Sequence, residues 1–134
     1  MSVVYLDASA IVKLVVREQE SAALAEYLEP SDLRATSLLS IVEVTRAVTT
    51  QGGPLSGQLE EVFDRLAIIA IDRAVIRVAA SLAPASLRSL DAIHLASALE
   101  LGSDLEAFVT YDRRLADAAR LQGLQVESPG GEPG

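Results

Sequence analysis

Apolar residues recur along this chain in two rhythms. Short unbroken runs rich in β-branched side chains alternate with stretches where apolar positions return every three or four residues. The first rhythm predicts buried strands and the second amphipathic helices. Val3–Leu6 is the first such run, and it stops abruptly at Asp7. Helices are predicted over about 9–17, with Ile11, Leu14 and Val15 inward, and over about 21–29, ending before Pro30. A brief strand at 33–36 leads into a long helix over 38–50. Leu38, Ile41, Val42, Thr45 and Val48 would form its inner face. Gly52, Gly53 and Pro54 end that helix, and another covers about 55–65. A strand at 66–71 precedes a helix over 73–82 that Asp72 is placed to cap. A loop around Pro84 leads to a helix from about Ser89 to Leu101, with Gly102 as its C-terminal turn. A strand at 107–110, a helix from Asp112 to about Leu121 and an edge strand at 124–127 complete the pattern.

Strands that alternate with helices of about ten residues imply a parallel sheet covered on both faces. The expected fold class is therefore α/β, a three-layer α/β/α sandwich with a central, mostly parallel sheet. One domain over 1–127 and a loose Pro- and Gly-rich tail over 128–134 are expected. In such sheets ligands bind beyond the carboxyl ends of the strands. Two acids stand at such ends, Asp7 and Asp112.

Composition narrows the chemistry. The chain has 134 residues, half of them hydrophobic but only 4 % aromatic, so its core is aliphatic. It has no cysteine, which excludes disulfides, thiolate nucleophiles and thiolate metal sites and suits a reducing, cytoplasmic setting. The start of the chain lacks the basic region of a signal peptide, and no apolar run nears the ~20 residues that span a bilayer. The net charge of −8 counts against a general nucleic-acid footprint. It does not exclude a substrate approached through cations.

Each candidate acid has a plain structural reading beside a functional one. Asp7 could cap a loop, and Asp112 could cap the helix that follows it. Asp91, in the first turn of its helix, is favoured there by the helix dipole. Glu43 lies among apolar neighbours, where a carboxylate is costly unless paired, and Arg46 is one turn away. Ser9 could cap a helix, bond Asp7 or meet a phosphate, and Thr110 could turn its hydroxyl to the same place. His94, the single histidine, could orient Asp91, touch substrate or simply pack. Asp104 and Asp117 fit exposed positions better. Taken together, Asp7, Glu43, Asp91 and Asp112 could share one pocket at the sheet edge. Carboxylates so grouped repel one another, and hard cations such as Mg²⁺ or Mn²⁺ relieve that repulsion.

Four blocks in order carry a family resemblance: Tyr5-Leu6-Asp7-Ala8-Ser9-Ala10, Ser40 through Ala47, Leu90 through Ala98, and Phe108 through Leu115. Over Val3 to about Val126 the chain resembles the PIN-domain family, and within it the VapC-type toxin ribonucleases of toxin–antitoxin pairs. The resemblance places the family's acids on Asp7, Glu43, Asp91 and Asp112, as catalytic and metal-binding residues, and its hydroxyls on Ser9 and Thr110. It implies Mg²⁺- or Mn²⁺-dependent hydrolysis of RNA by metal-activated water, a homodimer, and inhibition by a small cognate VapB-like antitoxin. No membrane partner is expected. Arg113 and Arg114, beside Asp112, are the foremost candidates for contacting RNA, ahead of Arg46, Arg73, Arg77 and Arg88. Rival readings are a non-catalytic interaction protein of the same fold and a nuclease of the same chemistry acting on DNA. A haloacid dehalogenase-type phosphatase would need an Asp where Ser9 stands. A receiver domain would need an early acidic pair and a late lysine that this chain lacks.

Overall fold

The computed structural model describes residues 1–50 and 56–131. The glycine–proline turn expected at 52–54, the helix start expected at 55 and the end of the expected tail, 132–134, lie outside the described residues. The elements run β1 (Val3–Leu6), α1 (Ala8–Val15), α2 (Ser21–Leu28), β2 (Leu33–Ser37), α3 (Leu39–Thr50), α4 (Ser56–Asp64) and β3 (Ala67–Ile69). They continue with α5 (Arg73–Ser81), α6 (Ser89–Leu99), a 3₁₀ turn (Gly102–Asp104), β4 (Leu105–Val109), α7 (Arg113–Leu121) and β5 (Val126–Glu127). The sheet order is β3-β2-β1-β4-β5, and every pairing is parallel. This is the three-layer α/β/α sandwich expected from the sequence.

Period-two alternation on β1 divides the core. Val4 and Leu6 face one layer, where Ile11, Leu24, Leu28, Val44 and Val48 pack from α1, α2 and α3. Tyr5 faces the other, against Leu95 and Ala98 of α6 and Leu115 and Ala119 of α7. All four residues of β1 are buried, which is why the run is unbroken. Tyr5 and Phe108 are both fully buried and stack with ring centroids 5.1 Å apart.

The phase of α3 differs from the sequence expectation. Its buried positions are Ser40, Val44 and Val48, while Leu38, Ile41, Val42 and Thr45 are exposed. The cause is the start of the helix. Ser37 Oγ accepts the Leu39 amide at 3.1 Å, and buried Ser40 bonds Thr36 at 2.6 Å. A polar residue thus occupies the inner face of the first turn, and the valine face follows from it.

The helix starts show similar local control. Asp7, not Ser9, caps α1, accepting from the Ala10 amide at 3.0 Å. Asp72 caps α5 through the Val75 amide at 2.9 Å. Gly102 has a φ of +55°, the left-handed turn that lets the chain leave α6. Part of the expected tail is anchored. Ser128 Oγ donates to the Thr110 carbonyl at 2.6 Å and Tyr111 Oη to the Pro129 carbonyl at 2.7 Å.

Two adjacent residues of α3 test this phase. Val44→Ala removes two buried carbons and should cost about 2 kcal/mol in urea unfolding. Thr45→Ala should stay within about 0.5 kcal/mol. The reverse order would mean the helix is rotated.

Candidate active site

The chain begins in the middle of the sheet. It moves to one side through β2 and β3, then crosses to the other through β4 and β5. The crevice where the order reverses lies between β1 and β4, beyond their carboxyl ends. Asp7 and Thr110 are the residues that follow these two strands.

Asp7 is buried and its carboxylate is fully engaged. Oδ1 accepts from Ser9 Oγ at 2.7 Å and from the Ala10 amide at 3.0 Å, and Oδ2 accepts from Thr110 Oγ1 at 2.5 Å. The two hydroxyls also hold the loop after β4. Ser9 Oγ accepts the Tyr111 amide at 2.8 Å, and Thr110 Oγ1 accepts the Asp112 amide at 3.0 Å. Burial pushes the Asp7 carboxyl above its usual range, against the opposing pull of His94 and of these donors.

Asp112 is exposed and caps α7. Its Oδ1 accepts the Arg114 and Leu115 amides at 2.9 and 3.2 Å. Asp91 is half-buried in the first turn of α6. Burial raises its carboxyl first, and the charges of Asp112 and Glu43 raise it further, while His94 and Arg88 pull it down. Asp112 and Glu43 are therefore near enough to Asp91 for their charges to act on it. Tyr111, between Thr110 and Asp112, has its hydroxyl pushed up to about 12 by burial, Glu20 and Asp7.

Glu43 projects from α3 and its partner is His94 of α6 rather than Arg46. Glu43 Oε1 lies 2.6 Å from His94 Nε2. His94 is buried, and its Nδ1 lies 2.7 Å from Tyr5 Oη. Tyr5 in turn accepts the Ser37 amide at 3.2 Å. Sequence reasoning treated His94 as a neighbour of Asp91 and gave Tyr5 no role. An i,i+3 argument sees only one helix, and this pairing joins residues 51 positions apart.

Arg113 and Arg114 are exposed at the start of α7. Arg113 lines a cleft of about 270 Å³ with Lys13, Asp112 and Arg120. Arg114 lines another of about 340 Å³ with Arg88, Asp91 and Leu87. The basic residues thus flank the acids on two sides. Asp104 and Asp117 are exposed and pair with the chain's amino terminus and Arg120, at 3.7 and 3.6 Å.

The donor chemistry suits a hard divalent cation. The acids supply oxygen only, and burial makes two of them hold their protons more tightly than usual. Among the described residues, no three His, Asp or Glu side chains are gathered into a ready ligand set. Asp7 and Asp112 instead spend oxygens on helix amides.

A PIN domain family model matches residues 4–121. Ribonuclease VapC46 of Mycobacterium tuberculosis is 44 % identical over 129 residues, spanning 96 % of this chain and 99 % of that protein. Ribonuclease VapC47 of the same species is 42 % identical over 134 residues, spanning 95 % and 97 %. In structure, the toxin–antitoxin complex from Klebsiella pneumoniae includes a chain that superposes with a TM-score of 0.73 at 22 % identity, covering 96 % of this chain and 99 % of that one. The chain belongs to the PIN-domain family, and within it to the VapC group.

The pKa direction at Asp7 carries a stability consequence. An acid held above its unfolded value weakens folding as pH rises through the window between the two values, because the folded state binds the proton more tightly. Metal-free Asp7→Asn should therefore have a higher Tm than the parent at pH 7. The difference should vanish below the ordinary aspartate range, near 3.8. A lower Tm at pH 7 would show that the hydrogen bonds outweigh burial.

Proposed function

We propose that the chain is a Mg²⁺- or Mn²⁺-dependent endoribonuclease and the toxin of a toxin–antitoxin pair. The observation that carries the reading is the buried Asp7 carboxylate, held by Ser9 and Thr110 at the β1–β4 crevice, together with the charges of Asp112 and Glu43 that reach Asp91. Its relatives' names, ribonucleases of the VapC group, support the same reaction.

Asp7, Glu43, Asp91 and Asp112 would hold the cation. When bound, a divalent ion supplies Lewis acidity that makes water nucleophilic and offsets charge on the phosphoryl oxygens. Ser9 and Thr110 hold the Asp7 carboxylate in one orientation. Asp112 couples the site to the start of α7, where Arg113 and Arg114 would meet the RNA backbone. A water nucleophile needs no 2′-hydroxyl, so the expected ends are 5′-phosphate and 3′-hydroxyl. Preference for RNA then lies in the shape of the clefts.

A homodimer and a small VapB-like antitoxin complete the proposal. Leu38 and Val42 are exposed apolar side chains available to a second copy. A basic segment of the antitoxin would complement the acids in the resting complex, and a structural neighbour is itself a toxin–antitoxin complex. Among the described residues no helix is long and apolar enough to cross a membrane.

Purified protein should cut RNA and spare DNA of the same sequence when Mg²⁺ or Mn²⁺ is present. Chelation should stop the reaction and metal should restore it. Asp7→Asn should lose activity by at least about 10²-fold while its circular dichroism stays native. Equal digestion of DNA, or full activity of metal-replete Asp7→Asn, would overturn the reading. Arg114→Ala should weaken RNA binding and lower the slope of log affinity against log salt by about 1.

A further inference from the structure

A continuous hydrogen-bonded chain runs from the backbone of β2 to Glu43. The Ser37 amide lies 3.2 Å from Tyr5 Oη, Tyr5 Oη 2.7 Å from His94 Nδ1, and His94 Nε2 2.6 Å from Glu43 Oε1. Tyr5, Ser37 and His94 are all buried, while the Glu43 side chain keeps 27 % of its exposure. Among the described residues no buried side-chain polar atom lacks a partner, so the chain is complete.

The inventory of donors gives the two ends of this chain a direction. A backbone amide only donates, so the Tyr5 oxygen accepts from Ser37. Tyr5 Oη then meets His94 Nδ1 and holds the ring from its buried side. A carboxylate only accepts, so His94 Nε2 carries a proton that points at Glu43. Tyr5 is itself rigidly held, stacked on Phe108 and edge-on to the His94 ring at 6.1 Å. One oxygen of Glu43, on α3, is thereby fixed against α6.

We infer that Tyr5 and His94 are positioning residues: Tyr5, anchored by the Ser37 amide, holds the His94 ring in place, and His94 orients Glu43 for the cation. This deepens the nuclease reading and rests on it for the identity of the cation. The other face of the argument is local. Arg46, on the same helix as Glu43, would leave the carboxylate on a flexible exposed arm, whereas a buried imidazole bound at both nitrogens leaves it little freedom.

His94 is the single histidine of the chain, so its imidazole nitrogens can be read in a long-range ¹⁵N–¹H spectrum without assignment. In the metal-free parent Nε2 should carry a proton bonded to Glu43, and in Tyr5→Phe that proton should be partly lost. Mn²⁺ affinity by calorimetry should fall about tenfold in Tyr5→Phe and further in His94→Ala. His94→Gln, which keeps a donor toward Glu43, should recover part of the loss. With RNA, Tyr5→Phe should lower kcat about tenfold and leave KM within a factor of two. An Nδ1–H tautomer in the parent, no Mn²⁺ binding, unchanged affinity in Tyr5→Phe, or His94→Gln no better than His94→Ala would each overturn the inference. The glutamine variant carries the test if Tyr5→Phe does not fold. Tautomer and affinity are read without RNA. A parent that binds Mn²⁺ but cuts no RNA would therefore sink the nuclease reading alone, and one that cuts RNA with unaltered variant affinities would sink this inference alone.

Discussion

A buried carboxylate organises this molecule. Asp7 sits at the end of the central strand, out of solvent, where an unpartnered charge would be very costly. It is tolerated because Ser9, Ala10 and Thr110 all donate to it. Those donors come from α1 and from the end of β4, so satisfying one side chain also starts a helix and joins two loops. Ser9 and Thr110 then accept the Tyr111 and Asp112 amides, which places the cap of α7 beside the same crevice. The switch in strand order opens the crevice, and the needs of Asp7 shape its floor.

The remaining acids add to a charge that the protein leaves only partly balanced. Asp91 is raised by burial and by two neighbouring carboxylates, and Arg88 and His94 offset this incompletely. Holding carboxyls above their ordinary range costs folding stability at neutral pH. Each acid also has an ordinary structural duty. Asp7 and Asp112 cap helices, and Glu43 is paired with His94. Helix capping and cation binding draw on the same property, a carboxylate oxygen presented at a strand end, so the two readings coexist in one residue.

The parts legible in the sequence were those governed by local periodicity. The run Val3–Leu6 is buried on both faces and reads as a strand because every side chain in it is apolar. Asp72 caps its helix where the pattern placed it. The inner face of α3 was misplaced because Leu38, Ile41 and Val42 are apolar yet exposed. Periodicity counts apolar residues and cannot know that Ser37 starts the helix and Ser40 turns inward to Thr36. The strand at 66–71 shortened to Ala67–Ile69 for a related reason. It is an edge strand that pairs only with β2, and hydrogen bonds, not side chains, set its length.

By itself the sequence determined the α/β class, the order of its elements and which acids stand at strand ends and in helix turns, since these are local properties. The tertiary structure alone decided the long-range partners of these acids. Glu43 and His94 are 51 residues apart, and Asp7 and Thr110 are 103 apart. Those pairs exist only because parallel pairing puts β1 beside β4 and the helices of both layers converge at one edge. Hydrogen bonds act over about 3 Å, and no pattern along a chain encodes which distant groups will come that close.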